Sequence, residues 1–404
     1  MSDLYYDPYD YEIDNDPYPV WKRMRDEEPV YHNEKFGFYA LSRYEDVERA
    51  SLETEVFSSA KGNVIDIIRD SLSGIPPMEM IIFMDPPKHT AMRRLMSRGF
   101  TPRRVAALED SVRTMAIDGL GRFGDREVFD YLEDFGAHIP PKVISTLLGI
   151  PESDHDQMRR WSDAIMYLAE GETEQGGSSA GVEAMEQMHA YIGELAEQRR
   201  QRPEEDFLTT LIEAELTLPD GSTRPLNDTE VVEYVIVLVG AGSETVARFL
   251  GNAIVLLGDS PDQRDLLVDD QGLIPNAIEE LLRFEPPSPV QGRYVARDVE
   301  LHGRLIPEGS ICALLTGSAG RDERRFDDPD RVDVQREVGN HLSLGFGIHF
   351  CLGAALARLE SRVVLEETLK RFPAWEVDKE NVGRTHSSTV RGYAKVPARF
   401  SCHR

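Results

Sequence analysis

The sequence is short of cysteine and of positive charge, and each shortage excludes a class of protein. Cys312, Cys351 and Cys402 are the three cysteines in 404 residues. They show no C-x-x-C spacing, so neither a disulfide framework nor a zinc ribbon is indicated. Lysine and arginine number 45 against 72 aspartates and glutamates, and the net charge of −27 argues against nucleic-acid binding.

Targeting signals and long apolar runs are also missing. The N-terminal segment is acidic and aromatic, without the basic start and apolar run of a signal peptide. We find no stretch of the roughly 20 apolar residues that a membrane span requires. A cytoplasmic protein without a membrane span is therefore expected.

Apolar residues that recur every three or four positions predict a mainly helical chain. The predicted helices cover residues 86–98, 104–122, 127–148, 152–169, 182–200, 228–257, 261–269, 274–284 and 351–371. Strand-like alternation covers residues 36–41, 299–315 and 388–400 and predicts small sheets. The Gly- and Ser-rich tract at 170–181 fits a domain linker or a flexible lid between two helices. The composition does not change across it, which favours the lid.

The longest predicted helix, residues 228–257, is apolar on nearly all sides and should lie in the interior. A capping box of Asn227 and Glu230 is predicted at its start. Its middle reads GAGSET, residues 240–245. Glycine inside a helix costs about 0.5–1 kcal/mol relative to alanine, and the charge of Glu244 is also costly in so apolar a helix. Stability alone does not select this segment.

Cys351 lies among glycines at the predicted start of another helix. Gly345, Gly347 and Gly353 would let the backbone close around the sulfur and let a flat group approach it. A thiolate in the first helical turn would be stabilised by the helix dipole, which lowers its pKa from about 8.5. The alternatives are a buried cysteine acting as a small apolar residue and a zinc site with two nearby histidines. The zinc site lacks a fourth ligand, and the glycine density disfavours both.

Four motifs, in the expected order and spacing, resemble those of the cytochrome P450 monooxygenases. GFGIHFCLG at 345–353 is similar to the haem-ligand loop, and AGSET at 241–245 to the oxygen-activating segment of the central helix. ELLR at 280–283 resembles the E-x-x-R pair, and DPPKH at 85–89, with Arg93, the helix that holds a haem propionate. Together these motifs span most of the chain.

The resemblance implies a mainly α fold: one cytochrome P450 domain over residues 1–404, with haem b between the central and ligand helices. Cys351 would be the axial ligand of the haem iron, and Glu280 and Arg283 a buried structural ion pair. The residues expected to contact haem are His89, Arg93, Ala241, Gly242, Arg293, Leu344, Gly345, Phe346, His349 and Gly353. Leu344 replaces the phenylalanine usual in the family, which bears on the redox potential rather than on ligation.

Thiolate ligation favours O–O bond cleavage, so the resemblance implies activation of dioxygen. Glu244 and Thr245 would be the catalytic acid and alcohol that deliver protons. Ala241 and Gly242 would leave space for dioxygen, and a Thr245 hydroxyl bonded back along the helix would bend it. The alternative is that Glu244 is a satisfied charge and Thr245 an ordinary helical residue.

The resemblance further implies a lipophilic substrate of terpenoid, steroid, fatty acid or polyketide type, hydroxylated or epoxidised after entry near residues 75–84. The expected lining residues, which core packing would explain equally well, are Ile82, Phe83, Ile236, Val239, Gly240, Pro289, Val290 and Val390.

The segment 88–104 contains lysine and arginine but no acidic residue. It resembles the family's docking face for an acidic ferredoxin of 2Fe-2S or 3Fe-4S type, reduced by an NAD(P)H-dependent ferredoxin reductase. A solvated helix face is the alternative. A monomer is expected.

Two other functions share the cysteine loop. A peroxygenase that uses hydrogen peroxide usually lacks the acid and alcohol, so Glu244 and Thr245 disfavour it. A haem-binding sensor needs no proton relay and usually carries a signalling domain, for which we see no sequence evidence.

Overall fold

The computed structural model describes residues 4–166, 179–218, 221–385 and 390–401. Its helices are α1 Tyr11–Asn15, α2 Tyr18–Glu27, α3 Tyr44–Leu52, α4 Ile65–Leu72, α5 Lys88–Met96, α6 Pro102–Ala106, α7 Glu109–Gly121, α8 Ile139–Leu148, α9 His155–Met166, α10 Ser179–Gln201, α11 Phe207–Ile212, α12 Asp228–Asp259, α13 Pro261–Asp269, α14 Ile274–Phe284, α15 Thr316–Ala319 and α16 Ala354–Arg371.

The strands are short and form five small sheets in the described part of the chain. They are β1 Val30–Asn33, β2 Phe38–Leu41, β3 Phe57–Ser58, β4 Val128–Asp130, β5 Glu215–Thr217, β6 Thr223–Pro225, β7 Gln291–Val295, β8 Val299–Leu301, β9 Arg304–Ile306, β10 Ile311–Leu314, β11 Ala374–Val377, β12 Gly383–Thr385, β13 Gly392–Lys395 and β14 Pro397–Ser401. The largest sheet has the order β1-β2-β10-β7-β3, a second has the order β11-β14-β4, and the others are the pairs β5-β6, β8-β9 and β12-β13. Among the described strands, only β2 and β10 pair in parallel. The mainly helical class with small sheets is confirmed.

The central helix α12 forms as predicted, because both halves of its capping box are present at Asn227 and Glu230. By length and composition it could cross a membrane, contrary to the expectation that no segment could. However, 61% of its most apolar stretch is buried within the protein, as in the core helix of a globular fold. It packs in the main hydrophobic core with α8, α10 and α16.

Two predicted helices have different boundaries in the structure. The segment predicted as 127–148 begins with strand β4, and α8 starts at Ile139, where Pro140 and Pro141 occupy the first turn. Phe129 of β4 stacks on Phe400 of β14, with ring centroids 4.3 Å apart. This distant partner overrides the local helical pattern. The segment predicted as 104–122 divides into α6 and α7.

The lid predicted over residues 170–181 lies outside the described residues up to position 178. Its last three positions belong to α10.

Candidate functional site

The loop before α16 holds Cys351 in a tight backbone turn. Gly345 and Gly347 have positive φ angles of +73° and +68°, which favour glycine. A Cβ at Gly345 would stand 2.9 Å from the backbone oxygen of His349, and one at Gly347 would stand 2.8 Å from a backbone oxygen of α3. The Cys351 N–H donates to the Leu344 carbonyl at 2.7 Å. The main chain therefore determines where the sulfur lies.

Cys351 precedes the helix rather than lying in its first turn. Gly353 is the N-cap of α16 and has an ordinary φ of −84°. Burial raises the pKa of the Cys351 thiol, while the Gly353 backbone and the charges of Arg93 and Arg358 oppose that rise. The predicted lowering by the helix terminus is present in the contribution of the Gly353 backbone, but desolvation outweighs it, so the pKa is raised overall. A coordinating metal ion, by contrast, deprotonates a thiol outright.

Two other predicted haem contacts flank this loop. Leu344 packs against the main core, and Phe346 packs against a smaller core around β7 and β10. Both side chains are partly buried.

A cluster of basic side chains, defined here as His89, Arg93, Arg293 and His349, brings together α5, β7 and the cysteine loop. The rings of His89 and His349 are 4.5 Å apart. Their buried Nδ1 and Nε2 atoms, respectively, have no hydrogen-bond partner in the described chain. Burial and the neighbouring positive charges lower the pKa of His349 to about 3, and burial lowers that of Arg293 to about 10.

The two arginines of this basic cluster have no acidic partner among the described residues. Neither Arg93 nor Arg293 forms an ion pair with any described residue, and the Arg293 guanidinium donates only to the Gly292 carbonyl, at 2.7 Å. The nearby Asp85 carboxylate partly opposes the lowering of the pKa of His89 and of Arg293. Its oxygens, however, accept hydrogen bonds from Ser58 and Ser59. Buried cations require anionic partners. The cluster is therefore suited to carboxylates supplied by a bound molecule.

The middle of α12 borders open space, although the helix crosses the interior. Ala241 is exposed, and, apart from the adjacent part of α12 itself, no atom of the described residues lies within 4 Å of where a Cβ on Gly240 would stand. A Cβ on Gly242, by contrast, would stand 3.3 Å from Ile144 of α8. Gly242 therefore packs closely against α8, and its role in leaving space for dioxygen stays a prediction. Thr245 Oγ1 donates to the Ala241 carbonyl at 2.9 Å, which is the predicted back-bond.

Glu244 is paired with a residue that the sequence analysis missed. Arg248 donates to Glu244 Oε1 from Nε at 2.7 Å and from Nη2 at 2.6 Å. Burial and the Asp163 carboxylate of α9 raise the pKa of Glu244 to about 7, so this acid can gain and lose a proton near neutral pH. The spacing of Glu244 and Arg248 at i and i+4 was a usable signal. Asp163 lies on another helix, so no local sequence pattern indicates that it is close to Glu244.

Glu280 and Arg283 form the predicted buried pair. Arg283 Nε and Nη2 donate to the two Glu280 oxygens at 2.7 and 2.8 Å, and neither side chain is exposed. Arg283 also donates to the carbonyls of Gly320 and Pro329, while Glu280 accepts from Arg336. The pair thereby ties α14 to the chain between residues 320 and 336.

The predicted substrate-lining residues fall into two groups. Ile82, Phe83, Ile236, Gly240 and Val290 are partly exposed and so available to a ligand. Val239 has no exposed surface and belongs to the main core, so core packing accounts for it. Pro289 is buried against Gly317, and Val390 is 8% exposed.

The basic segment 88–104 is partly neutralised. Lys88 pairs with Glu79 at 2.8 Å, and Arg104 donates to the Thr210 hydroxyl at 2.9 Å. The arginines that are exposed and have no ion pair with a described residue are Arg94, Arg98 and Arg103.

A planar cofactor bearing carboxylates accounts for both the glycine-rich cysteine loop and the basic cluster beside it. Haem is such a cofactor, and a cysteine is one of the residues that can ligate its iron. The fold and site therefore define a haem-thiolate protein.

Comparisons with known proteins identify the family. The cytochrome P450 family model matches residues 37–400. The chain is 40% identical to the putative cytochrome P450 123 of Mycobacterium tuberculosis over 398 residues, covering 98% of this chain and 96% of the relative. It is 34% identical to the vitamin D(3) 25-hydroxylase of Pseudonocardia autotrophica, and the match covers 94% of this chain and 93% of the relative. The structure of CYP109E1 from Bacillus megaterium in complex with corticosterone matches with a TM-score of 0.85 and 30% identity, and the match covers 96% of this chain and 99% of that protein.

The chain belongs to the cytochrome P450 family. It is a monooxygenase that uses haem with thiolate ligation, together with dioxygen, a lipophilic substrate and redox partners. These findings confirm the predicted fold, cofactor and enzyme class.

Proposed function

We propose that this enzyme hydroxylates or epoxidises a lipophilic small molecule, using electrons from a separate ferredoxin and its NAD(P)H-dependent reductase. The observation that carries the proposal is the acid and alcohol, Glu244 and Thr245, placed where α12 borders open space. We further propose a monomeric, cytoplasmic enzyme with one domain over residues 1–404.

Each part of the site has a proposed task. Cys351 would ligate the haem iron, and the basic cluster would hold the two propionates. Bound haem supplies the activation of dioxygen. The chain supplies protons: Glu244, with a pKa of about 7, is protonated in part of the molecules at neutral pH and can be reprotonated after each transfer. The Thr245 hydroxyl donates to Ala241 and keeps its lone pairs available to accept a hydrogen bond.

The haem ligand is tested by reducing the protein under carbon monoxide. We expect the long-wavelength Soret band of a thiolate-ligated complex in the wild type and its loss in Cys351→His. Cys312→Ser is the matched control, since Cys312 is fully buried in β10 and distant in sequence from the loop. Persistence of the thiolate band in Cys351→His would assign the ligand elsewhere.

For the substrate class we propose a steroid or secosteroid. Support comes from the apolar character of the available lining residues and from two relatives, one named as a vitamin D(3) hydroxylase and one bound to corticosterone. Spin-state titration with corticosterone and vitamin D3 tests this, with a long-chain fatty acid and a macrolide as comparison ligands. A spin shift with either comparison ligand and with neither steroid would redirect the proposal to that class.

For the electron donor we propose an acidic ferredoxin that docks on the exposed arginines of segment 88–104. Opposite charges accelerate association, and salt screens that effect. Replacing Arg94, Arg98 and Arg103 by glutamine should slow reduction at low salt and flatten the salt dependence. Arg297→Gln, at a surface arginine that is 59% exposed, is the control. Equal salt dependence in the triple variant and the wild type would exclude this face.

A further inference from the structure

The Arg248 side chain connects two elements of the site. Its Nε and Nη2 atoms donate to Glu244 Oε1, at 2.7 and 2.6 Å, and its Nη1 atom donates to the Tyr393 carbonyl in β13. The side chain is 4% exposed. A guanidinium is planar and holds its donors in a fixed fork. Arg248 therefore cannot follow a movement of Tyr393 without changing its geometry on Glu244.

Strand β13 lies directly against Arg248. A Cβ on Gly392 would stand 2.8 Å from the Arg248 Cβ and 3.3 Å from its Cα. Glycine at this position lets the strand approach α12 closely enough for the Tyr393 carbonyl to reach the guanidinium. Substitution by any larger residue must displace either the strand or Arg248.

The same hairpin, β12 and β13, carries a residue expected to face substrate. Val390 lies two residues before Gly392 and has a small exposed fraction, 8%. Between them, Arg391 is anchored through its side chain to Glu285 at 2.9 Å and through its N–H to the Pro287 carbonyl at 2.8 Å. A ligand that displaced Val390 together with the anchored Arg391 would also displace the neighbouring carbonyl that holds Arg248.

The described charged groups that act on the Glu244 carboxyl lie on two helices. Arg248 lies on α12, and Asp163 lies on α9, where it pairs with Arg159 at 3.4 Å. Arg384 of the hairpin donates to the Tyr393 hydroxyl. The side chain that α8 packs against this part of α12 is Ile144, which is apolar. Arg248 is thus a cation in direct contact with Glu244, and the Asp163 carboxylate opposes its effect on the pKa of Glu244.

We propose that Arg248 is a positioning residue that links the substrate-facing hairpin to the proton-relay acid Glu244. The inference rests on the proposed relay role of Glu244. With β13 seated on α12, Arg248 is held against Glu244 and favours its charged form. Displacement of β13 draws Arg248 away from Glu244, so the carboxyl takes up a proton and becomes a donor. Contact of a ligand with Val390 would in this way prepare the acid for proton transfer.

The test measures protonation of Glu244 directly in the haem-loaded enzyme. The infrared band of its protonated carboxyl is identified as the band lost in Glu244→Gln, and is then titrated with pH. A contacting opposite charge changes a pKa by about 1–3 units. Arg248→Gln should therefore raise the midpoint by at least about one pH unit, a tenfold change in the acid constant. Arg248→Lys should restore at least half of that change.

Movement of the hairpin is mimicked by Gly392→Ala, which leaves both Glu244 and Arg248 unsubstituted and pushes β13 and Arg248 apart. It should raise the midpoint in the same direction as Arg248→Gln. Gly383→Ala is the matched control in the same hairpin, since its Cβ would meet only Lys395, at 3.3 Å from that side chain, and it should leave the midpoint unchanged.

An unchanged midpoint in Arg248→Gln would overturn the inference, as would equal midpoints in Gly392→Ala and Gly383→Ala. If the midpoints move as expected but Glu244→Gln leaves the yield of product per NADH unchanged, the link stands and the relay role of Glu244 fails. The two proposals can thus be separated.

Discussion

Replacing Arg293 with methionine is expected to stabilise the haem-free protein and, at the same time, to weaken haem binding. The Arg293 side chain is buried, forms no ion pair with a described residue and has one hydrogen bond, to Gly292. Burial lowers its pKa from 12.5 to about 10. At about 1.36 kcal/mol per pKa unit, burial of this charge costs the haem-free protein about 3 kcal/mol.

The sign follows from which form is disfavoured. The lowered pKa of Arg293 means that the folded protein disfavours the charged form, so the penalty is fully present at neutral pH and disappears only above the unfolded value. Methionine removes the penalty and also a hydrogen bond of about 1 kcal/mol. The haem-free variant should therefore gain about 2 kcal/mol in its free energy of unfolding. In the haem-loaded protein the same change removes a charge-assisted bond to a propionate, about 1.5–3 kcal/mol, which weakens haem binding roughly 10- to 150-fold.

Urea unfolding of the haem-free protein measures the first effect, and transfer of haem to an acceptor apoprotein measures the second. Arg297→Met, at the exposed arginine four residues away, controls for the loss of one positive charge and should change neither. A haem-free variant that is less stable than the wild type, combined with normal haem retention, would show that Arg293 has a structural partner instead of a propionate.

Three further predictions concern the rest of the site. Thr245→Ala should consume reducing equivalents with a lower yield of product, measured as product per NADH; unchanged coupling would remove Thr245 from the relay. Gly345→Ala should lose haem faster than Gly37→Ala, because both glycines have positive φ but only a Cβ at position 345 meets backbone within 4 Å; equal haem loss would mean that the clash is relieved without moving the loop. Arg283→Met should leave the Glu280 charge buried and cost about 3–5 kcal/mol in urea unfolding, and a loss below about 1 kcal/mol would show that Arg336 compensates.

The features that the sequence predicted correctly depend on residues close together in the chain. The capping box of Asn227 and Glu230 and the pair of Glu280 and Arg283 each join positions three apart, so a local pattern contains both partners. The resemblance to the P450 family added the haem and the order of the motifs.

The features that were missed depend on distant partners. Strand β4 forms because β14, more than 260 residues later, pairs with it, and no pattern within residues 127–148 records that. The close packing of Gly242 against Ile144 of α8 likewise joins distant positions and has no signal in the sequence. Cys351 was placed in a helix because the pattern of apolar residues continues through the loop, whereas the positive φ angles of Gly345 and Gly347 delay the helix to Ala354.

In the cysteine loop, main-chain groups determine the position of the Cys351 sulfur, and side chains determine its chemical surroundings. Leu344 contributes its carbonyl to the Cys351 N–H, and any amino acid at that position offers the same carbonyl. Side chains at 344 should therefore be able to vary without moving the sulfur, while their bulk and polarity would alter the surroundings of the iron in the proposed site. A panel of substitutions at this one position would give a graded series of reduction potentials on a constant scaffold, which is useful for tuning the enzyme to a chosen electron donor.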